Sequence, residues 1–246
     1  MVSSRTNGLR NGNLQAVILD MDGVIVDSHP AHLRAWQRFL ETLGRKVSKS
    51  DLDYILDGRK RTEILHHFFG ELSEPEILEY GNRKDRFFQQ AAMDVTPVPG
   101  VLEFLAELKR RRIALAVATS ASATRTRSTL QRLQLSNHFD VVVTGDDIDK
   151  GKPDPAIYRL ACQRLGVSPE SALAFEDAVS GIRAAKGAGV RCIAVSGHEP
   201  PNKLCDAGAH HVIKNFVGFS LTRLKGILGR NPQHPASLQD LATVAQ

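Results

Sequence analysis

The stretch Val17-Ile18-Leu19-Asp20-Met21-Asp22-Gly23 passes from an uninterrupted apolar run directly into two carboxylates and a glycine. Such a run, which begins at Ala16, is typical of a strand that is buried on both faces of a parallel sheet. Asp20 and Asp22 are therefore expected at the carboxyl edge of that sheet, where ligands bind in open α/β folds. Gly23 allows the backbone to turn sharply away. Carboxylates beside a buried strand are costly without a compensating cation or substrate, so the stretch predicts a functional site.

Further short apolar runs alternate with helical patterns along most of the chain. The predicted strands are Ala16–Leu19, Ile113–Ala118, Val141–Val143, Leu173–Phe175, Cys192–Val195 and His211–Ile213. The helical patterns cover residues 99–111, 122–133, 154–165 and 178–188. This alternation predicts an α/β fold, a Rossmann-like parallel sheet with helices on both faces.

One segment interrupts the alternation after the first strand. It lacks a strand pattern but repeats apolar residues at helical spacing, as at Leu33, Trp36 and Leu40. It closes with a stiff linker in which Pro99 is expected to open the next helix. The predicted organisation is an α/β core of residues 14–29 and 97–228, an inserted helical domain of residues 30–96, and mobile tails at residues 1–13 and 229–246.

The composition is that of a globular protein, with 42% hydrophobic and 24% charged residues among 246. No apolar run reaches the roughly 18 residues of a membrane-spanning helix. The first residues lack the apolar segment of a signal peptide, and the three cysteines form no CxxC pair. We therefore expect a cytoplasmic protein with neither a membrane segment nor a disulfide or zinc framework, and take a monomer as the default.

The net charge of +5 invites a nucleic-acid partner. Residues 30–96 carry 11 basic and 11 acidic side chains, whereas residues 97–228 carry 18 basic and 12 acidic ones. The largest basic clusters are Lys109–Arg112 and the set Arg125, Arg127 and Arg132. We interpret both clusters as solvated helix faces or ends. Because no aromatic residues interleave with them, a single-strand binding platform is disfavoured, and we expect no nucleic-acid partner.

Polar side chains follow other predicted strands as well. Glu176 and Asp177 end one strand, Thr119 and Ser120 follow another, and Lys152 lies in the loop after a third. Two acidic clusters at one sheet edge offer the hard oxygen ligands that suit Mg²⁺. Taken singly, the hydroxyl residues would be interpreted as helix caps and the lysine as a solvated loop residue. Their repeated position at strand ends favours a single site.

In this order the clusters resemble the four motifs of the haloacid dehalogenase superfamily of phosphatases and phosphotransferases. The matching residues are Asp20 and Asp22, then Thr119, then Lys152, then Glu176 and Asp177. The resemblance spans about residues 14–215, and the inserted segment resembles the superfamily's small helical cap. Within the superfamily, the chain is most similar to the branch that holds β-phosphoglucomutase and many small-metabolite phosphatases.

The resemblance implies a mechanism. Asp20 would attack phosphorus as a nucleophile and form an aspartyl-phosphate, and Asp22 would act as the general acid and base. Thr119 and Lys152 would bind phosphoryl oxygens. The residues expected to hold Mg²⁺ are Asp20, Asp22 through its backbone carbonyl, Asp177 and, through water, Glu176.

The resemblance also implies where a small phosphorylated metabolite would bind. Gly58 and Arg61 match the cap loop, in which an arginine meets the substrate's anionic or polar end. His32 matches a histidine near the hinge that couples cap closure to the acid/base aspartate. Lys84 aligns with a lysine of the cap, and Ser120 follows the second motif. A solvent-facing turn and a helix-surface histidine are the simpler interpretations of the cap residues.

One departure from the mutase pattern favours a phosphatase. The mutase carries a serine and an asparagine for the substrate's distal phosphate where this chain has Ala121 and Ala123. Ser120 and Ser122 alternate with them, so β-phosphoglucomutase activity stays open, as the alternative to hydrolysis of a sugar phosphate.

Two other functional classes share part of this pattern. A phospho-acceptor signalling domain would share the acidic cluster, hydroxyl and lysine, but the DxDG spacing and the large insertion fit it poorly. A catalytically idle binding protein on the same fold is opposed by the intact acidic and basic residues of the motifs. A P-loop is rejected because Pro153 stands where that motif has Ser or Thr.

Overall fold

A computed structural model describes residues 14–229, which contain a six-stranded parallel sheet in the order β5-β4-β1-β6-β7-β8 and a separate two-stranded ladder, β2-β3. The strands are β1 Ala16–Leu19, β2 Val26–Asp27, β3 Thr96–Pro97, β4 Ala114–Ala118, β5 Val141–Val143, β6 Ala172–Glu176, β7 Arg191–Val195 and β8 His211–Ile213. The helices are α1 His29–Glu41, α2 Lys49–Leu56, α3 Arg61–Phe69, α4 Glu74–Ala91, α5 Val101–Arg110, α6 Ala123–Arg132, α7 Ala156–Leu165, α8 Val179–Gly187, α9 Pro201–Ala207 and α10 Leu221–Gly229. The predicted α/β fold is confirmed.

Strand β1 lies inside the sheet, paired in parallel with β4 on one side and β6 on the other. Its side chains alternate between the two faces: Val17 and Leu19 join one apolar core, whereas Ala16 and Ile18 join the other. All four are fully buried, which explains why the strand is apolar throughout. Asp20 follows directly and therefore lies amid the carboxyl ends of the central strands.

Four aromatic rings pack one face of the sheet. Phe104 of α5 and Phe175 of β6 contact Phe216 and Phe219, which precede α10. The ring centroids of Phe104 lie 5.5, 5.4 and 5.2 Å from those of the other three. This cluster fixes α5 and the chain before α10 against β6, the strand that ends in Glu176.

Helix α5 begins at Val101, so the expectation that Pro99 opens it is wrong. The residue before the helix is Gly100, whose φ is 81°. A side chain there would place its Cβ 2.3 Å from the backbone of Phe216. The close approach of two backbones, which only glycine permits, sets the start of this helix.

Helices α1 to α4 pack around an apolar cluster of their own, and α1 lies against α4. Its buried members are Trp36, Phe39, Leu40, Ile55, Ile64 and Leu65. Strands β2 and β3 pair antiparallel beside these helices, with Val26 opposite Pro97 and Asp27 opposite Thr96. The expectation that residues 30–96 hold no strand is therefore wrong at Thr96, which belongs to β3. A strand of two residues is too short to show periodicity in the sequence. The division into two domains stays a prediction.

Both predicted tails fall outside the described residues, except for Gly229, which ends α10. Within residues 14–229, no helix combines the length and apolar character that crossing a bilayer requires.

Replacement of Phe104 by alanine tests the aromatic cluster. We expect a loss of about 3–5 kcal/mol in the free energy of unfolding, because a buried ring is replaced by a cavity. Denaturant titration measures it. Leu102→Ala on the same helix, 41% exposed, is the control and should change stability by no more than about 0.5 kcal/mol. Equal losses in both variants would show that the cluster does not anchor α5.

Candidate active site

A cavity of about 70 Å³ lies between the carboxyl edge of the sheet and helices α1 to α4. Most of the residues that the sequence nominated line it. These are Asp20, Asp22, His32, Gly58, Arg61, Lys84, Thr119, Ser120 and Asp177. The other two, Lys152 and Glu176, lie behind Asp20 and contact one another. The structure thus brings the nominated residues to one place.

Lys152 is fully buried and uses all three of its N–H groups. Its Nζ donates to Oδ1 of Asp20 at 2.5 Å, to Oε1 of Glu176 at 2.5 Å and to the carbonyl of Ala118 at 3.2 Å. Tyr158 also donates to Oε1 of Glu176, at 2.5 Å. Burial favours the neutral amine, but the two carboxylates outweigh it and raise the pKa of Lys152. The side chain is therefore a fixed positive charge.

The charge around Asp20 is not fully balanced. Burial raises the pKa of Asp20 well above its ordinary value, with Lys152 opposing and the neighbouring Glu176 and Asp177 adding to the rise. Oxygen atoms of Asp20, Glu176 and Asp177 lie within 4.8 Å of one another. A divalent cation among these hard oxygen donors would supply the missing positive charge, so the residues fit Mg²⁺.

Asp22 is held by a guanidinium. Arg125 donates from Nη1 to Oδ1 at 3.0 Å and from Nη2 to Oδ2 at 2.6 Å. Ser28 donates to Oδ1 at 2.6 Å, and Nε2 of His32 lies 3.2 Å from the same oxygen. Burial alone would raise the pKa of Asp22, but Arg125 and then His32 hold it well below its ordinary value. The second carboxylate is therefore ionised.

Arg125 corrects the interpretation of its basic cluster. We expected a solvated helix face, but only 9% of the Arg125 side chain is exposed. Arg127 and Arg132 are exposed, as expected. The signal was present in the helical phase, because Arg125 lies one turn before Thr129 on the buried face of α6. A charge on that face needs a buried partner.

His32 of α1 and Lys84 of α4 connect these two helices to Asp22. Nζ of Lys84 lies 3.3 Å from Nδ1 of His32, whose Nε2 faces Asp22. Burial and then Lys84 lower the pKa of His32 to about 3, so the imidazole is neutral. Burial and then Arg125 lower the pKa of Lys84 to about 7. The contact expected between the hinge histidine and the second aspartate is present.

Hydrogen bonds hold the loop between α2 and α3 against the sheet edge. They join Ser120 Oγ to the Gly58 carbonyl at 2.6 Å, Lys60 Nζ to the Ile148 carbonyl at 2.6 Å, and the Ser180 amide to Asp57 Oδ1 at 3.1 Å. Two nominated substrate residues, Ser120 and Gly58, thus bond to each other. Arg61 pairs with Asp85 of α4 at 2.7 Å.

The chain after β4 shapes one wall of the cavity. Thr119 is buried, and its Oγ1 accepts from the amide of Ala121 at 3.2 Å. Ala121 and Ser122 line the cavity, whereas Ala123 does not. Ser122 Oγ accepts from the Arg125 amide at 3.4 Å and caps α6. A hydroxyl therefore stands at this wall despite the two alanines of the motif.

Sequence reasoning gave no role to three other side chains at the site. Tyr158 contacts Glu176, and Asp177 lies between His29 and His198. The two histidines come from distant positions, so no spacing in the sequence relates them.

Replacement of Arg125 by glutamine should raise the pKa of Asp22, because burial would remain while its main stabilising charge is lost. Carboxyl ¹³C chemical shifts through an acid titration measure that pKa. In the native protein, a pKa below the unfolded value means that Asp22 stabilises the fold above its unfolded pKa and loses this contribution as the pH falls through the folded pKa. The variant should lose less stability on acidification.

Arg127→Gln, on the exposed face of the same helix, is the matched control. An unchanged pKa of Asp22 in Arg125→Gln would contradict the described contact.

Comparisons with known proteins agree with this geometry. The family model of the haloacid dehalogenase-like hydrolases matches residues 17–195. A phosphorylated carbohydrates phosphatase of Thermotoga maritima is 38% identical over 207 residues, 82% of this chain and 94% of the relative. A β-phosphoglucomutase of Bacillus subtilis is 34% identical, over 76% of this chain and 85% of its own length.

Among solved structures, CbbY from Rhodobacter sphaeroides in complex with phosphate is similar, with a TM-score of 0.74 and 30% identity. The match covers 85% of this chain and 98% of CbbY. The family match spans the strands that deliver Asp20, Thr119 and Asp177. The chain therefore belongs to the haloacid dehalogenase-like hydrolase family, in the branch of β-phosphoglucomutase-like phosphotransferases and phosphatases.

Proposed function

We propose that the chain is a Mg²⁺-dependent phosphomonoester hydrolase that acts on a small phosphorylated metabolite, foremost a sugar phosphate, through an aspartyl-phosphate on Asp20. The observation that carries the proposal is the placement of Asp20 against the Lys152 ammonium, in a cavity that it shares with the ionised Asp22. A nucleophile beside a separate proton-transfer group is what a two-step displacement requires. The names of the curated relatives support the substrate class.

Asp20 attacks the phosphorus atom, and the leaving oxygen departs. Lys152 opposes the protonation of Asp20 that burial favours, since its ammonium donates to Oδ1. Thr119 lines the same cavity, and its hydroxyl would bond a phosphoryl oxygen. When bound by Asp20, the Asp22 carbonyl and Asp177, with Glu176 acting through water, Mg²⁺ supplies the charge that offsets repulsion between nucleophile and phosphate.

Asp22 moves the proton. As a carboxylate it is ready to take a proton from the water that hydrolyses the aspartyl-phosphate. To protonate the leaving oxygen in the first step, it must first carry a proton, which the Arg125 contact opposes. We infer that Arg125 loosens its hold on Asp22 when a substrate anion enters, because both groups line the cavity.

Two features favour an anionic, polar substrate. Arg61, Lys84 and Arg125 line the cavity and offer N–H donors to an anion, although Arg61 is paired with Asp85 and Arg125 with Asp22. A groove of about 670 Å³ between α4 and α6 shares Arg61, Asp85 and Arg125 with the cavity. The small cavity suits the phosphoryl group, and the groove gives the leaving group room.

The proposal is tested by incubating the protein with Mg²⁺ and a panel of phosphate esters and measuring the phosphate that is released. Sugar phosphates, glycerol phosphates, phosphoglycolate and nucleotides belong in it. We expect turnover that Asp20→Asn abolishes, because an amide cannot serve as the nucleophile. Asp27→Asn, at an exposed carboxylate beside the hinge, is the control and should retain turnover.

Turnover that persists in pure Asp20→Asn protein would contradict the assignment of Asp20 as the nucleophile. An aspartyl-phosphate that lasts for minutes without turnover of esters would instead support a phospho-acceptor signalling domain.

Phosphoryl transfer between sugar positions is the second candidate, favoured by the mutase among the relatives and by the hydroxyl of Ser122 at the cavity wall. β-Glucose 1-phosphate with catalytic glucose 1,6-bisphosphate separates the two activities. Hydrolysis predicts free phosphate. Glucose 6-phosphate formed without free phosphate would establish the mutase.

A further inference from the structure

We propose that His29, Asp177 and His198 form a second cation site, selective for a transition-metal dication of the zinc or cobalt type. The site is distinct from the oxygen-ligand set of Asp20, Glu176 and Asp177, although Asp177 belongs to both. The proposal concerns binding and does not depend on the proposed hydrolysis.

The distances are those of ligands around one small cation. Oδ2 of Asp177 lies 3.0 Å from Nε2 of His29 and 3.5 Å from Nδ1 of His198. The three ligand atoms all lie within 4.8 Å of one another. In a tetrahedral site with bonds of about 2.0–2.2 Å, neighbouring ligand atoms are roughly 3.3–3.6 Å apart. A cation could therefore be bound with little movement of these side chains.

Ordinary contacts account for only part of this cluster. Nε2 of His29 forms an ion pair with Oδ2 of Asp177, of whose side chain only 4% is exposed. Both ring nitrogens of His198 are buried beside that oxygen and make no hydrogen bond to the described residues. Buried polar atoms without partners are costly, and a cation shared with Asp177 would give His198 a partner.

The backbone allows the three ligand side chains to approach one another. His29 opens α1, Asp177 follows β6 and His198 follows β7, so three separate elements supply the ligands. Gly23, whose φ is 75°, packs against them. A Cβ at this position would lie 2.0 Å from Oδ2 of Asp177 and 2.4 Å from Cε1 of His29. Glycine thus makes the space in which the carboxylate meets the imidazole.

The donor set decides which cation binds. Imidazole nitrogens suit zinc, cobalt and nickel, whereas Mg²⁺ prefers oxygen ligands. His29 and His198 are 13% and 20% exposed, which leaves access for an entering ion and a water ligand. Because a carboxylate has two oxygens, Asp177 can contribute to both sites when both are filled.

Cobalt reports the site directly, because Co²⁺ absorbs visible light according to its ligands. The full chain is titrated with Co²⁺ in excess Mg²⁺, which fills the oxygen sites, and without substrate. We expect an intense visible band that saturates at one Co²⁺ per chain and is displaced by Zn²⁺. His198→Gln and His29→Gln should each weaken Co²⁺ binding at least about tenfold, the smallest effect typical even of outer-shell changes.

His66→Gln is the matched control, since His66 is an exposed histidine of α3 whose Nδ1 contacts the Gly70 carbonyl. Its Co²⁺ binding should equal that of the native chain. Thermal unfolding curves confirm that each variant is folded, and the two histidine variants test the site independently of each other. The absence of a band in the native chain, or a band that persists in both variants, would overturn the proposal without bearing on hydrolysis.

Discussion

The site depends on one buried ammonium. Lys152 has no exposed surface, and its charge is stable there only because Asp20 and Glu176 both reach it. The two carboxylates end neighbouring strands whose register places Leu19 opposite Phe175. The pairing of β1 with β6 therefore sets the distance between the two acids. Removal of either acid would leave a buried charge with half its compensation, a change that typically costs several kcal/mol.

A second set of contacts links Asp22, the proposed proton-transfer group, to helices away from its own strand. Asp22 is held by Arg125 of α6 and by His32 of α1, and Lys84 of α4 lies behind His32. Because these groups come from three helices, the electrostatic surroundings of the carboxylate depend on how those helices pack against the sheet edge.

The sequence was sufficient to predict structure where a physical requirement acts on residues that are neighbours along the chain. The apolar run Ala16–Leu19 predicted a strand covered on both faces, and the polar residues after successive strands predicted one shared edge. Contacts between residues far apart in the chain could not be predicted from the sequence. His29 and His198 carry no spacing signal, and the two-residue ladder of β2 and β3 is too short for periodicity.

Arg125 shows a different kind of error. Its burial could be predicted from its position on the buried face of α6. Because it lies among other basic residues, it was instead interpreted with them as part of a solvated helix face. Pro99 is a related case: local preference favours it as the first residue of the helix. The approach of Phe216 to Gly100, a tertiary contact, set the start of α5 instead.

The central claim is that Asp20 carries the phosphoryl group during turnover. Acid quenching of the enzyme within its first turnovers of a ³²P-labelled ester, followed by peptide mapping, measures this most directly. We expect acid-stable label on the peptide that contains Asp20, and its loss when unlabelled substrate is added. Phosphate released at full rate with no label on that peptide, or with label on another residue, would contradict it.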